Sequence, residues 1–159
     1  MKQKCQLLRL SSQFYQFYNE DTYPEILRKN KRAYSVVVCI GNGDYYICAP
    51  FRSEIRHSQS FIFKKTLRSN IHKSGIDYKK IVIIRKIEYI NWKDIPIIDN
   101  EEYLIFLKYN EKIGKQMIQY VERYILHIKN TKRINEKEFE RLYRFSSLPY
   151  FHEELGLLE

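Results

Sequence analysis

Residues 34–40 read YSVVVCI, a β-branched and apolar run that suits a strand far better than a helix. Gly41-Asn42-Gly43-Asp44 follows, a hairpin signal, and YYICA at 45–49 reads as the return strand. Pro50 is expected to end that strand, because it has no N–H to give to a ladder. Further strands are expected at Gln6–Leu10, 60–64, 81–90 and 95–98. The run IVIIRKIEYI is apolar enough to lie centrally in a sheet. From 101 to 129 the pattern changes, with Phe106, Ile113, Met117, Val121, Tyr124 and Ile128 recurring at helical spacing. A short helix at 12–18 has Ser11 or Ser12 as its cap. Asn135 and Glu138 resemble a capping box that opens a last helix running to about Tyr143. Strands followed by helices predict an α+β domain, a twisted antiparallel sheet or small barrel flanked by helices. With 159 residues, neither repeats nor a linker, and only nine Gly and Pro, the chain reads as one domain over 1–159.

Charge narrows the function. The net charge is +9, and residues 1–86 hold 17 Lys and Arg against 6 Asp and Glu, a net of +11. Residues 87–159 carry a net of −2. Cations gathered in one half suit a polyanion such as nucleic acid. The plainer explanation, a generally Lys-rich proteome, stays open. The 14 Tyr and 9 Phe add side chains suited to stacking on RNA bases. No long apolar run or lipidation signal points to a membrane. The start, MKQKCQLLRL, has neither the apolar core nor the cleavage site of a signal peptide, so a cytoplasmic protein is expected. Cys5, Cys39 and Cys48 lack metal-ligand spacing, and the last two lie in apolar runs as buried thiols would.

No P-loop, dinucleotide fingerprint or hydrolase signature is present, and the acidic residues of the basic half (Glu20, Asp21, Glu25, Asp44, Glu54, Asp77) are scattered. A two-metal nuclease needs converging carboxylates, so no metal and no cofactor are expected. The segment APFRSEIRH at 49–57 follows a strand end and offers a hydroxyl, two guanidiniums and an imidazole. RNA cleavage without a metal needs a proton taken from the 2′-OH, charge stabilised on the phosphorane oxygens and a proton for the leaving 5′-oxygen. His57 can move a proton near neutral pH, Arg52 and Arg56 can hold phosphate oxygens, and Ser53 can donate to them. A solvated loop with Ser53 capping a turn is the structural alternative. Arg28, Lys29, Lys31 and Arg32 before the central strand, and Lys64 and Lys65 after a later one, extend the cationic set. Lys112 and Lys137, in the acidic half, are expected to matter little to RNA. His72 in a turn, His127 in the helix and His152 in the tail are expected to be structural or solvated.

At NKRAYSVVVCI and YYICAPFRSEIRH the chain resembles the toxins of type III toxin–antitoxin systems, the ToxN and AbiQ group with its CptN and TenpN relatives. The shared pattern is a basic residue before a central strand, a hairpin, then a Y-x-x-A-P-hydrophobic-x-S loop followed by basic residues and a His. The helix at 101–129 and the terminal ERLYRF follow the same order. The resemblance implies a distorted SH3-like barrel of the Kid/MazF type flanked by helices. It further implies a metal-independent, sequence-selective endoribonuclease that leaves a 2′,3′-cyclic phosphate on cellular or phage RNA and so serves phage defence. The implied partner is an antitoxin RNA, a pseudoknot repeat that the toxin cuts from a precursor and holds in a closed protein–RNA assembly. By position, Ser53 matches the loop serine, Lys31 or Arg32 the basic residue before the strand, and Tyr23 an upstream tyrosine. Where relatives have Thr-Ser and a Lys, this chain has Arg52-Ser53 and Ile55-Arg56, which leaves the general acid and base open. A non-catalytic RNA-binding or regulatory protein would use the same cationic face.

Overall fold

The computed structural model describes residues 4–29, 31–39 and 44–158, with the side chains of Val38 and Cys39 left out. The fold is α+β. Among the described residues seven strands run in chain order: β1 (Gln6–Leu10), β2 (Tyr34–Cys39), β3 (Tyr45–Arg52), β4 (Ser60–Ile62), β5 (Gly75–Asp77), β6 (Val82–Ile84) and β7 (Ile90–Asn91). Among the described residues the α-helices are α1 (Ser12–Phe17), α2 (Leu67–His72), α3 (Asn100–Lys108), α4 (Asn110–Ile128) and α5 (Glu136–Tyr143). The sheet is antiparallel and open, in the order β4-β5-β3-β2-β1-β7, with β6 also paired to β3.

The hairpin expected from sequence forms the centre, with Val36 opposite Cys48 and Val37 opposite Ile47. Its turn, Gly41-Asn42-Gly43, lies outside the described residues. α4 packs on β2 and β3, and its buried face carries Ile113, Met117, Tyr120, Val121 and Tyr124, with the Tyr120 and Tyr124 rings meeting Tyr143 of α5. Cys5 and Cys48 are buried free thiols, and burial pushes the Cys5 thiol up to about 11. Ser11 caps α1 and Asn135 caps α5, as the sequence signals.

Several expectations are corrected. β3 runs through Pro50 to Arg52. Phe51 N–H donates to Ala33 C=O (2.9 Å), so the neighbouring Pro50 nitrogen faces the other edge of β3, in the interval between β6 and β5. No ladder bond is lost there. The run 81–90 is not one strand but β6, a 3-10 turn at Ile87–Tyr89, and β7. It leaves the sheet at exposed Arg85, whose Nε donates to Glu154 C=O (2.7 Å). Residues 95–98 form no strand, and Ile95 and Ile97 are 85% and 97% exposed. Strand 60–64 stops at Ile62. The expected long helix is two: Asn110 exchanges hydrogen bonds with the backbone N–H and C=O of Cys5, which ties the start of β1 to the break between α3 and α4. His72 ends α2 rather than sitting in a turn. α2, capped by Thr66 Oγ1 accepting from Ser69 N–H (2.9 Å), and β5 were not anticipated.

Candidate active site

β3 ends at Arg52, and the loop that follows presents Ser53. Glu54 N–H donates to His72 C=O (2.5 Å) and Ile55 N–H to Lys73 C=O (3.2 Å), which straps the loop to the end of α2. Ile55 is buried and anchors it from below. Glu54 holds a left-handed backbone (φ 58°), a conformation that costs a non-glycine residue energy and persists where surrounding structure enforces it. Ser53 is thereby presented on a fixed turn. Its hydroxyl makes no hydrogen bond among the described residues.

On the other wall, Arg32 precedes β2 and its guanidinium donates to Phe51 C=O (2.7 Å). Burial, the largest influence, lowers its pKa from the usual arginine value, a range in which the group stays cationic at neutral pH. A cavity of about 560 Å³ lies between the walls, lined by Lys29, Lys31, Arg32, Arg52, Ser53 and Arg68 among others. Its three carboxylates are engaged. Glu102 takes Arg68 (2.8 and 3.2 Å), Asp99 accepts from Glu102 N–H (3.2 Å), and Glu54 meets His72 Nδ1 (2.9 Å). Five cations thus face three carboxylates, in a space suited to an anion.

Asp77 holds the loop from within. It is fully buried at the end of β5, with Oδ2 3.0 Å from Arg52 and Oδ1 accepting from Lys79 N–H (2.9 Å). His57 Nε2 stands 2.9 Å from Oδ1, with its N–H out of line, so the contact is chiefly electrostatic. Gln59 N–H donates to His57 Nδ1 (3.1 Å), which places the proton of a neutral ring on Nε2. Burial alone would raise the Asp77 pKa; His57 and Arg52 together outweigh it and hold the carboxyl below its ordinary value.

The residues named from sequence fall in different places. Lys29, Lys31, Arg32, Arg52 and Ser53 share the cavity just described. His57, Lys64 and Lys65 line a second one, of about 710 Å³. Arg56 is exposed and lines neither. The Arg28 guanidinium ties the carbonyls of Tyr18 and Tyr23 together. The Tyr23 ring packs edge-on to Tyr18 and Tyr150 (4.9 and 5.1 Å), away from both cavities. His127 stacks on Phe139 (4.0 Å), and His152 Nε2 meets Tyr124 OH (2.7 Å). Sequence reasoning missed Arg68, Glu102 and Asp77. For Asp77 the only local hint is a lone acid between apolar Ile76 and Tyr78. Among the described residues no group of three or more His, Cys, Asp or Glu is placed to hold a metal ion, and no helix is long and apolar enough to cross a membrane.

Comparison of the chain with protein-family models, with curated proteins and with solved structures gives no match.

Proposed function

We propose that the protein is a metal-independent endoribonuclease, the toxin of a type III toxin–antitoxin pair whose inhibitor is a repeat RNA pseudoknot. The observation that carries this reading is the joining of Lys31 and Arg32, from before β2, with Arg52 and Ser53, from the end of β3, in one cationic cavity. These are the positions at which the sequence resembles the type III toxins. In this reading the open sheet is the distorted SH3-like core of the Kid/MazF type.

The reaction is attack of a ribose 2′-oxygen on the adjacent phosphorus. The P–O5′ bond breaks, the 2′ proton passes to a base, and the 5′-oxygen leaves with a proton from an acid. A 2′,3′-cyclic phosphate remains on the upstream fragment. Arg32 and Arg52 are positioned for the non-bridging oxygens, where guanidinium charge is worth most as the phosphorane gains charge. Ser53 adds a neutral donor. Lys31, exposed on the rim, is the candidate for proton transfer. His57 accepts from Gln59 N–H at Nδ1 and faces Asp77 with Nε2, and acts in this reading as a positioning residue that steadies Arg52 through Asp77.

Single-turnover cleavage, RNA-binding titration and thermal melting of Ser53→Ala and Arg52→Ala test the proposal. Ser53→Ala is expected to melt like wild type, bind RNA nearly as well and cleave about 100-fold more slowly. Arg52→Ala should lose both binding and cleavage, since its charge meets phosphate before the transition state as well as in it. A folded Ser53→Ala protein that cleaves at the wild-type rate would remove the loop from the mechanism. A wild type that binds RNA and never cuts it would leave a non-catalytic binder.

A further inference from the structure

The second cavity opens on the other side of the Arg52–Asp77–His57 contact and has a lining of a different kind. Lys64 and Lys65 come from the turn after β4, Lys73 from the end of α2, and Lys108 and Lys112 from the junction of α3 and α4. All five are exposed, and no carboxylate lines the space with them. Among the described residues none of the five forms an ion pair. Five unpaired ammonium groups around one concavity repel one another and persist at a cost unless an anion neutralises them.

Backbone geometry adds an independent sign. Lys65 (φ 66°) and Lys73 (φ 46°) both sit in the left-handed region, where glycine or asparagine would cost less. A lysine at each sacrifices local stability for a charge. The walls are aromatic: the Phe61 and Tyr109 rings lie 5.6 Å apart, and Lys108 Nζ stands 5.4 Å over the Tyr109 ring.

We infer that this groove binds single-stranded RNA, its phosphates along the lysines and its bases against Phe61 and Tyr109. Cations that track a backbone, with ring faces between them, are what a single strand with splayed bases requires. A duplex keeps its bases stacked inside and has no use for recessed aromatics, and a membrane surface favours an outward face over a concavity. His57 lines this groove while Arg52 lines the cavity at Ser53, and the two Asp77 oxygens touch one each. The groove therefore borders the candidate active site through the Arg52–Asp77–His57 contact. The inference rests on the reading of the protein as RNA-binding, and does not require that it cuts.

The test uses the full chain and a fluorescent, fully 2′-O-methylated single strand of about a dozen nucleotides, which cannot be cleaved and is long enough for one groove. Two variants remove charge in separate places: Lys65→Gly with Lys73→Gly, which also relieves both left-handed residues and so keeps the fold, and Lys108→Gln with Lys112→Gln. Each is expected to weaken binding roughly tenfold or more at moderate salt, and to flatten the log–log salt dependence by about 1.4, the share of two phosphate contacts on a single strand. Lys137→Gln should leave both quantities unchanged. Groove variants with wild-type affinity and salt slope would overturn the assignment. So would tighter wild-type binding to an equal-length duplex, or to equimolar phosphatidylserine–phosphatidylcholine vesicles, than to the single strand. If no form of the protein cleaves RNA while the groove variants still lose affinity, the nuclease reading fails and the groove stands.

Discussion

Exchanging Asp77 for Asn keeps the shape of a fully buried side chain while removing the charge that Arg52 and His57 face. Both partners reach solvent in part, so the loss is a charged contact rather than two stranded ions. Asp77→Asn should cost about 2 kcal/mol at neutral pH, read as a fall in Tm of roughly 4–8 °C. The pH dependence has a definite sign. The Asp77 pKa is lowered in the folded protein, so its contribution is complete above the unfolded value and is lost as pH falls through the folded one. Wild type and Asp77→Asn should therefore converge in stability below about pH 4. A gap that stays constant from neutral pH into acid would show that the carboxylate charge does not hold the loop. At this scale the sequence was legible where candidate residues sit at a strand end, as for Arg52 and Ser53, which share a cavity. It was silent on Asp77, which acts across 20 or more residues of separation from its partners. The aromatic content misled in part: Tyr18, Tyr34, Tyr78, Tyr120, Tyr124 and Tyr143 are buried in the core rather than available to RNA.

Among the elements, the pairing of β4 with β5 is the most exacting. A Cβ on Gly75 would lie 2.2 Å from the carbonyl oxygen of Phe61, and backbone cannot yield as a flexible side chain does. Gly75→Ala should destabilise the protein by about 2–3 kcal/mol, the upper range for a forced overlap in a packed interior. A chemical denaturation midpoint equal to that of wild type would contradict that packing. Because β5 delivers Asp77 and β4 borders the lysine groove, the same substitution should disturb both sites. The apolar runs of β2 and β3 and the helical spacing along α4 revealed these elements because each buries several residues of its own. The three-residue strands β4, β5 and β6 carry too few residues to show a period, and their places come from partners distant in sequence. Pro50 shows the same limit: whether a proline ends a strand depends on which edge its nitrogen faces, and only the register decides that.

For the whole molecule, folding redistributes the charge that the chain presents in two halves. Lys108 and Lys112, from the half with net charge −2, stand beside Lys64 and Lys65 from the basic half. Lys112 therefore lies on a cationic face although it comes from the acidic half, whereas Lys137 lines a separate, mixed-charge hollow with Glu136 and Glu140. Charge reversal at Lys31 or Arg32 should weaken RNA binding about tenfold or more and reduce its salt dependence, and reversal at Lys137 should do neither. Equal losses at all three would mean that RNA is held by overall charge and not by a site. The most direct measurement of the central claim is incubation of the purified protein with a mixed-sequence RNA in excess EDTA, with analysis of the fragment ends. Cleavage at a limited set of sites, leaving a 2′,3′-cyclic phosphate on each upstream fragment, is the expected result. Intact RNA in chelator, cut only once magnesium is restored, would contradict it.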